Sequence, residues 1–380
     1  MQIVIVGAGI SGLSCAIFLS EAGFKPLVIE KNPQLRSYGA GLQLGPNSVS
    51  ILEKYGFGGA LSELASFPKK IRFNNLKSNQ NLLEVSMHDY EKKFGSKYCY
   101  LMREDLINIL HKRCLDLKIE IKYGFELKSI ESIHEGYQLN TNQEVIFASK
   151  VIGADGIKSM VRKSLTKQEL IFADKLAWRG TAFITDKDFE YFKDINVWVA
   201  NNMHAVFYPI VRKKILNFVV ITTAKDSYGL KSTYSNSFEI NELLQKFNSN
   251  KDLLRVLSAS KDLFKWKIDV MPSFKWCSKN IGLIGDAAHP ILPFMAQGSS
   301  LGIEDAYQVA VNFSKKNYDL RQVFQQRKRK VSKITYFSKT SGYIYHLPNT
   351  LRYLAFRFNF YFPYFLQKRL NFAFKNILID

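Results

Sequence analysis

Long apolar runs are missing from this chain of 380 residues. No stretch reaches the roughly 18 consecutive apolar residues of a membrane-spanning helix. The N-terminus has no basic segment ahead of an apolar one, so a cleaved secretory leader is not expected. Cysteine is scarce. Cys15, Cys99, Cys114 and Cys277 are scattered without C-x-x-C spacing, which predicts reduced thiols in a cytoplasmic protein and no metal site. Acid is in short supply as well: 33 Asp and Glu stand against 53 Lys and Arg, a net charge of +20. A basic field attracts anionic substrates, nucleotides, membranes or nucleic acid, or is simply a solvated face. No nucleic-acid-binding motif accompanies it, so nucleic acid is not expected as a partner. The remainder, 47% apolar and 23% charged, is ordinary for a globular chain long enough for two structural parts.

What is present begins at once. Ile3 to Val6 is a short β-branched run, suited to a strand buried on both faces of a parallel sheet. Gly7-Ala8-Gly9-Ile10-Ser11-Gly12 follows with G-x-G-x-x-G spacing, then an amphipathic helix, then a second strand from Lys25 to Ile29 ending at Glu30. Gly7 allows the tight turn, Gly9 lets backbone approach a pyrophosphate, and Gly12 lets helix and strand pack closely. The helix N-terminus offers free N–H groups to phosphates. Glu30, 18 residues past Gly12, stands where an acid accepts hydrogen bonds from ribose hydroxyls. The arrangement predicts an adenine dinucleotide site. The motif does not separate FAD from NAD.

Residues 31–47 form a Gly- and Pro-rich loop containing Gly41, where backbone comes close to a ligand or simply turns. Residues 67–100 read as short strands with polar turns, and Arg103 opens a helix to about Cys114. From that helix N-terminus Arg103 reaches a phosphate or ring edge; taken alone it reads as a surface charge. Residues 119–147 look like a meander. Lys150 to Gly153 is another buried strand, ending at Asp155 in a turn, and a short helix follows from Ser159 to Leu165. Between 176 and 270 four aromatic-rich strand runs and two helical pieces predict an inserted sheet walling an apolar pocket. Ile281 to Ile284 repeats the first pattern, with Asp286 at its end. A loop through Pro293 and Gln297-Gly298-Ser299 then opens a helix whose positive end suits an anion.

These residues carry a resemblance. GAGISG with Glu30, VIGADGIKSMVR, and IGLIGDAAHPILPFMAQGSSLGIEDA match in order and spacing the group A flavoprotein monooxygenases, the single-component FAD aromatic hydroxylases. EKNPQLRSYGAGLQLGPNS, LMREDL, AWRG and HAVFYP resemble further family blocks, closest to the salicylate- and 3-hydroxybenzoate-hydroxylase branch. The resemblance covers about residues 1–345. It implies an α/β fold: a Rossmann-type FAD-binding domain (1–175, resuming at 271–318), an inserted β-sheet substrate domain (176–270) and a C-terminal helical region (319–380).

It also implies roles. Gly7, Ala8, Gly9, Ser11, Gly12, Glu30 and Lys31 would hold the ADP part of FAD. Gly41, Arg103, Asp155, Asp286, Gln297, Gly298 and Ser299 would hold the rest. NADH or NADPH would bind transiently, because a second G-x-G-x-x-G is absent. Lys31 stands where arginine is common, and Ser299-Ser300 replaces a small-plus-Asn pair. The implied reaction reduces the flavin, adds O2 to give a C4a-hydroperoxide, and hydroxylates a phenolic ring. His204 is the candidate base, or a satisfied core histidine; His289 is the alternative. Arg179 or Tyr208 meets a substrate carboxylate or hydroxyl, or packs. Pro293 shapes the loop beside the flavin. Competing readings are a hydroxylase or epoxidase of a larger hydrophobic molecule, such as a quinone precursor, polyketide or antibiotic, and a flavin-binding module without turnover. The tail at 351–380 alternates aromatics with Arg352, Arg357, Lys368, Arg369 and Lys375. It covers the substrate domain, joins a homodimer, or lies on an anionic membrane.

Overall fold

The computed structural model describes residues 2–35, 41–224, 233–234, 237–272, 276–278, 280–315, 319–357, 362–375 and 377–378. Part of the loop after Glu30, residues 36–40, and the centre of the aromatic tail, 358–361, fall outside the described residues. The N-terminal run forms the middle of a five-stranded parallel sheet, in the order Ile281–Leu283, Lys150–Gly153, Ile3–Val6, Pro26–Glu30, Glu120–Tyr123. Ile3, Val4 and Ile5 are fully buried, as an apolar strand with helices on both faces must be. The Ile10–Glu21 helix is buried along most of its length and packs on the Gly298–Phe313 helix. The ends of the Ile3–Val6, Lys150–Gly153 and Ile281–Leu283 strands therefore meet at one edge, where ligands bind in such sheets.

A second, eight-stranded sheet runs in the order 233–234, Lys261–Val270, Ile171–Phe183, Ile215–Thr223, Met203–Ile210, Ile195–Ala200, Lys70–Asn75, Asn81–Ser86. Its two faces explain the aromatic alternation. Trp198, Phe207, Phe218 and Val220 point to one side and pack with Phe192, Leu243, Phe247, Leu253 and Leu257, from the Ser237–Gln245 and Lys251–Ser258 helices among others. The alternate set, Val197, Val206, Tyr208, Val219 and Ile221, faces a cavity. The sheet also recruits Lys70–Asn75 and Asn81–Ser86, the former pairing in parallel with Ile195–Ala200. These strands come from the part of the chain that the sequence places with the nucleotide-binding half.

The reading of 67–100 as strands and turns misses a helix, Met87–Phe94. Its caps explain it: Asp89 in the first turn, Lys92 and Lys93 in the last, and Gly95 in the left-handed conformation at φ +75°. The C-terminal region is helical: Leu320–Tyr345, Asn349–Arg357 and Phe362–Phe374. It is tied to the nucleotide half by a buried charge cluster. Arg327 donates to Glu304 Oε2 at 2.6 Å and to Asp305 Oδ1 at 2.7 Å, and Lys330 Nζ reaches Glu304 Oε1 at 2.5 Å. Burial pushes both carboxyls up, but the facing cations, with His289 at Asp305, outweigh it and leave both acids below their ordinary range. Among the described residues no helix is long and apolar enough to cross a membrane.

Candidate active site

The glycine loop is built as its spacing demands. A Cβ at Gly12 would lie 1.9 Å from the Gly7 carbonyl oxygen, and Gly7, at φ +108°, has the Ala154 carbonyl 2.5 Å from where its Cβ would stand. Gly9 differs, since a Cβ there would meet open space. Gly9 is also the N-cap of the Ile10–Glu21 helix and provides no side-chain cap. The helix N-terminus is therefore uncapped and sterically open at Gly9, as a pyrophosphate site requires. Ser11 has a different duty. Its hydroxyl fills the notch between Gly285 and Gly302, where any Cβ would come within 2.3 Å of it, so only its backbone faces the loop. Glu30 Oε2 accepts from the Ala8 N–H at 2.9 Å and Oε1 from the Asn32 N–H at 3.0 Å, which fixes the loop against the second strand. Lys31 is exposed beside it.

Asp155 and Asp286 end two neighbouring strands. Asp155 Oδ2 accepts from the Met160 and Val161 N–H groups at 2.7 and 3.2 Å, while its buried Oδ1 has no partner. Burial raises its pKa, and the Ser159 side chain, ahead of the backbone N–H groups, pulls it part of the way back. Asp286 is exposed to the cleft and interacts electrostatically with Arg103 and Arg179. Pro293 starts a single 3₁₀ turn that ends at Ala296 in the left-handed region, φ +51°. The turn presents buried Gln297, whose Nε2 has no hydrogen-bond partner among the described residues, as N-cap of the Gly298–Phe313 helix. A Cβ at Gly298 would again meet open space. The open helix ends at Gly9 and Gly298, the Gln297 amide and the cleft-facing Asp286 carboxylate fit FAD, which would be held by its pyrophosphate at Gly9, its ribityl hydroxyls at Asp286 and its ring edge at Gln297 to Ser299.

The pocket wall follows from the register of the large sheet. Phe73 stands opposite Val197, Val197 opposite Val206, Val206 opposite Val219, and Val219 opposite Arg179. His204 and Tyr208 lie two residues to either side of Val206, on the same face. All seven line one cavity of about 810 Å³, together with Arg103, Asp286, Pro293 and Ser299 from the flavin side. Tyr345, Leu366, Leu370 and Phe374 of the C-terminal helices complete its lining. The tail thus covers the pocket, while Leu351, Leu354, Tyr364 and Phe365 stay exposed.

Arg179 stacks on Trp266, its guanidinium carbon 4.5 Å from the ring centroid, and its buried Nε has no hydrogen-bond partner among the described residues. Tyr208 is 2% exposed and its hydroxyl interacts with Gln43 and Asn217; burial pushes its pKa up despite Arg179. Gly41 lines the cavity, but what requires glycine there is Tyr208, whose ring would lie 2.8 Å from a Cβ. Its N–H donates to Asn217 Oδ1 at 2.6 Å, a contact that sequence reading missed. His204 is 2% exposed, and its Nδ1 lies 2.9 Å from Nε2 of His346, a partner no sequence pattern indicates. Burial foremost, then His346 and Lys175, hold His204 well below the ordinary histidine range. His289 is fully buried away from the cavity wall, bound through Nε2 to Asp305 at 2.5 Å, so it serves the charge cluster.

The chain is similar to known proteins over most of its length. The family described as FAD binding domain matches residues 1–316, and the chain belongs to it. A 3-amino-4-hydroxybenzoate 2-monooxygenase of Streptomyces platensis is 29% identical, with 92% of this chain and 89% of that protein covered. A 3-hydroxybenzoate 6-hydroxylase of Aquipseudomonas alcaligenes is 26% identical over 91% of this chain and 90% of its own length. Among solved structures, Klebsiella pneumoniae HpxO complexed with FAD and uric acid superposes with a TM-score of 0.88 at 19% identity, covering 100% of this chain and 98% of that one. A salicylate hydroxylase substrate complex gives 0.75 at 21% identity, covering 100% and 99%. The chain is an FAD-dependent enzyme of the group A flavoprotein monooxygenases.

Proposed function

We propose that this chain hydroxylates a small phenolic acid, consuming NADH or NADPH and O2. FAD supplies the redox chemistry and delivers the oxygen to the ring. The observation that carries the substrate reading is Arg179: a cation clamped on Trp266, with no hydrogen-bonded carboxylate among the described residues, on the same wall as His204 and Tyr208. A planar guanidinium in that state receives a carboxylate. The phenol then lies along Val206 and Val219, with His204 Nε2 as the base, since Nδ1 is committed to His346. A neutral imidazole is the form that accepts a phenolic proton, and burial keeps it neutral. The apolar wall and the roof from Leu366 to Phe374 exclude water. The N-terminus of the Gly298–Phe313 helix would stabilise negative charge on a reduced flavin, and Pro293 fixes the loop that leads into it. The relatives named for acting on hydroxybenzoates support a substrate of this class.

A larger hydrophobic substrate is the second reading, favoured by the mostly aliphatic and aromatic wall and by the tail as roof. The deciding experiment perturbs the visible spectrum of the FAD-loaded protein with 3-hydroxybenzoate, salicylate, 4-hydroxybenzoate and a hydrophobic quinone precursor, then follows NADH and NADPH oxidation with each. A phenolic acid that shifts the flavin bands and accelerates oxidation supports the proposal. Stimulation by the hydrophobic compound alone replaces it with the second reading. We place the chain in the cytoplasm, where its free cysteines stay reduced.

A further inference from the structure

The neighbourhood of His204 extends beyond the pocket. His346 lies 142 residues away in sequence, yet its Nε2 is 2.9 Å from His204 Nδ1. On its other side, His346 Nδ1 is 3.4 Å from Thr223 Oγ1, which accepts a hydrogen bond from Lys175 Nζ at 2.9 Å. The series starts on the cavity wall at His204. It ends at Thr223 and Lys175, both half-buried at the protein surface.

The surroundings do not stabilise an imidazolium on either ring. His204 packs on the rings of Phe294 and Tyr345, and Lys175 and His346 are the ionisable groups that oppose its protonation. His346 is opposed by burial, by Lys175 and by Arg352, which hold it down to about 3. Neither ring has a hydrogen bond to a carboxylate among the described residues. A proton that stayed on His204 would be an uncompensated buried charge. A base in that setting works only if the proton is passed on as it arrives.

We infer that His346 and Thr223, with Lys175 holding the Thr223 hydroxyl, form a relay that carries the substrate's phenolic proton from His204 to solvent. The inference rests on the phenolic reading above. The phenol O–H bond breaks and a proton joins His204 Nε2. The proton on His204 Nδ1 passes to His346 Nε2, and that on His346 Nδ1 passes to Thr223 Oγ1 as the hydroxyl releases its own proton to solvent water. Each ring exchanges one proton for another and changes tautomer without net charge. Reprotonation of the product phenolate runs the path backward and restores both tautomers. His204 meets the substrate; the other three are positioning residues.

The test uses FAD-loaded protein and 4-hydroxy-3-nitrobenzoate, a phenol whose ionised form absorbs visible light. Equilibrium difference spectra give its affinity, and a pH jump in stopped flow gives the rate at which the bound phenol ionises. His346→Gln and Thr223→Val are expected to slow ionisation at least about tenfold while affinity changes less than about threefold. Imidazole added to His346→Gly is expected to restore part of the rate. Nitrogen NMR of histidine-labelled holoprotein should show coupling across the N–H···N bond, lost in His346→Gln. Binding with unaltered ionisation rates in both variants overturns the relay alone. Failure of wild-type protein to bind this or any panel phenol overturns the substrate reading, and the relay with it.

Discussion

A guanidinium stacked on an aromatic ring without a hydrogen-bonded carboxylate is costly to bury, and among the described residues Arg179 is in that state, on Trp266. The cost makes sense if a carboxylate arrives with each substrate. Arg179→Ala should therefore raise KM for carboxylate-bearing phenols about 10- to 100-fold and leave uncharged phenols nearly unaffected. Arg179→Lys should recover only part, because the planar fork is lost. Steady-state kinetics on a matched acid and its methyl ester check both. His204→Asn should lower kcat about 10²- to 10⁴-fold. The place of these two residues on the cavity wall agrees with the strand runs AWRG and HAVFYP and their resemblance to family blocks, while their roles are the proposal made above. His346 was not legible in the sequence. Nothing local to Tyr345-His346-Leu347 signals chemistry; only the fold brings that helix end beside a strand 142 residues earlier. Asn217 and Gln43 escaped for the same reason, as polar residues whose partners are distant in sequence.

Among the elements, the glycine loop and its helix separate packing from binding. Gly9 borders open volume and Gly12 borders the Gly7 carbonyl. Gly9→Val should therefore fold with little change in the melting temperature of the FAD-free protein, but lose at least about tenfold in FAD affinity. Gly12→Val should fail earlier, losing folded protein, because a side chain there must displace backbone. Flavin fluorescence titration and thermal melts of the two variants, side by side, check the contrast. The Leu320–Tyr345 helix is held by Arg327 against Glu304 and Asp305. Arg327→Met would leave two buried carboxylates with less compensation and should cost about 3–5 kcal/mol by urea unfolding. The Rossmann-type unit was readable because its turn, strand and acid all fall within thirty residues. The Met87–Phe94 helix carries its signal in caps rather than in apolar period. The recruitment of Lys70–Asn75 and Asn81–Ser86 into the large sheet is set by parallel pairing with Ile195–Ala200, which no local pattern encodes.

For the whole molecule, the buried histidine pair ties stability to pH. In the folded chain both imidazoles lie well below 6.5, with His346 near 3, while unfolded histidines titrate near 6.5. Above about 6.5 neither state binds the protons, so the pair's contribution is fully present. As pH falls from 6.5 toward 3, the unfolded chain takes up protons that the folded chain refuses, and stability is lost. Each ring contributes at most about 1.4 kcal/mol per pH unit in that window. Urea midpoints should therefore decline from pH 6.5 to 5, before most carboxylates titrate, and His346→Gln should flatten the decline. The same fold that excludes protons from this pair joins two halves at one cavity. The parallel sheet contributes Asp286 and the loop at Pro293, the large sheet contributes Arg179 and His204, and the C-terminal helices close the roof.

That convergence makes one claim central: a phenolic acid and the flavin share this cavity so that one atom of O2 ends on the ring. The most direct measurement is turnover of FAD-loaded protein with 3-hydroxybenzoate, or the panel phenol that binds best, under ¹⁸O2 in ordinary water, with the product read by mass spectrometry. The account predicts a product carrying one ¹⁸O, in an amount that matches the NADH or NADPH consumed. Consumption of the nicotinamide with only hydrogen peroxide formed, and no labelled product from any phenol of the panel, would contradict it.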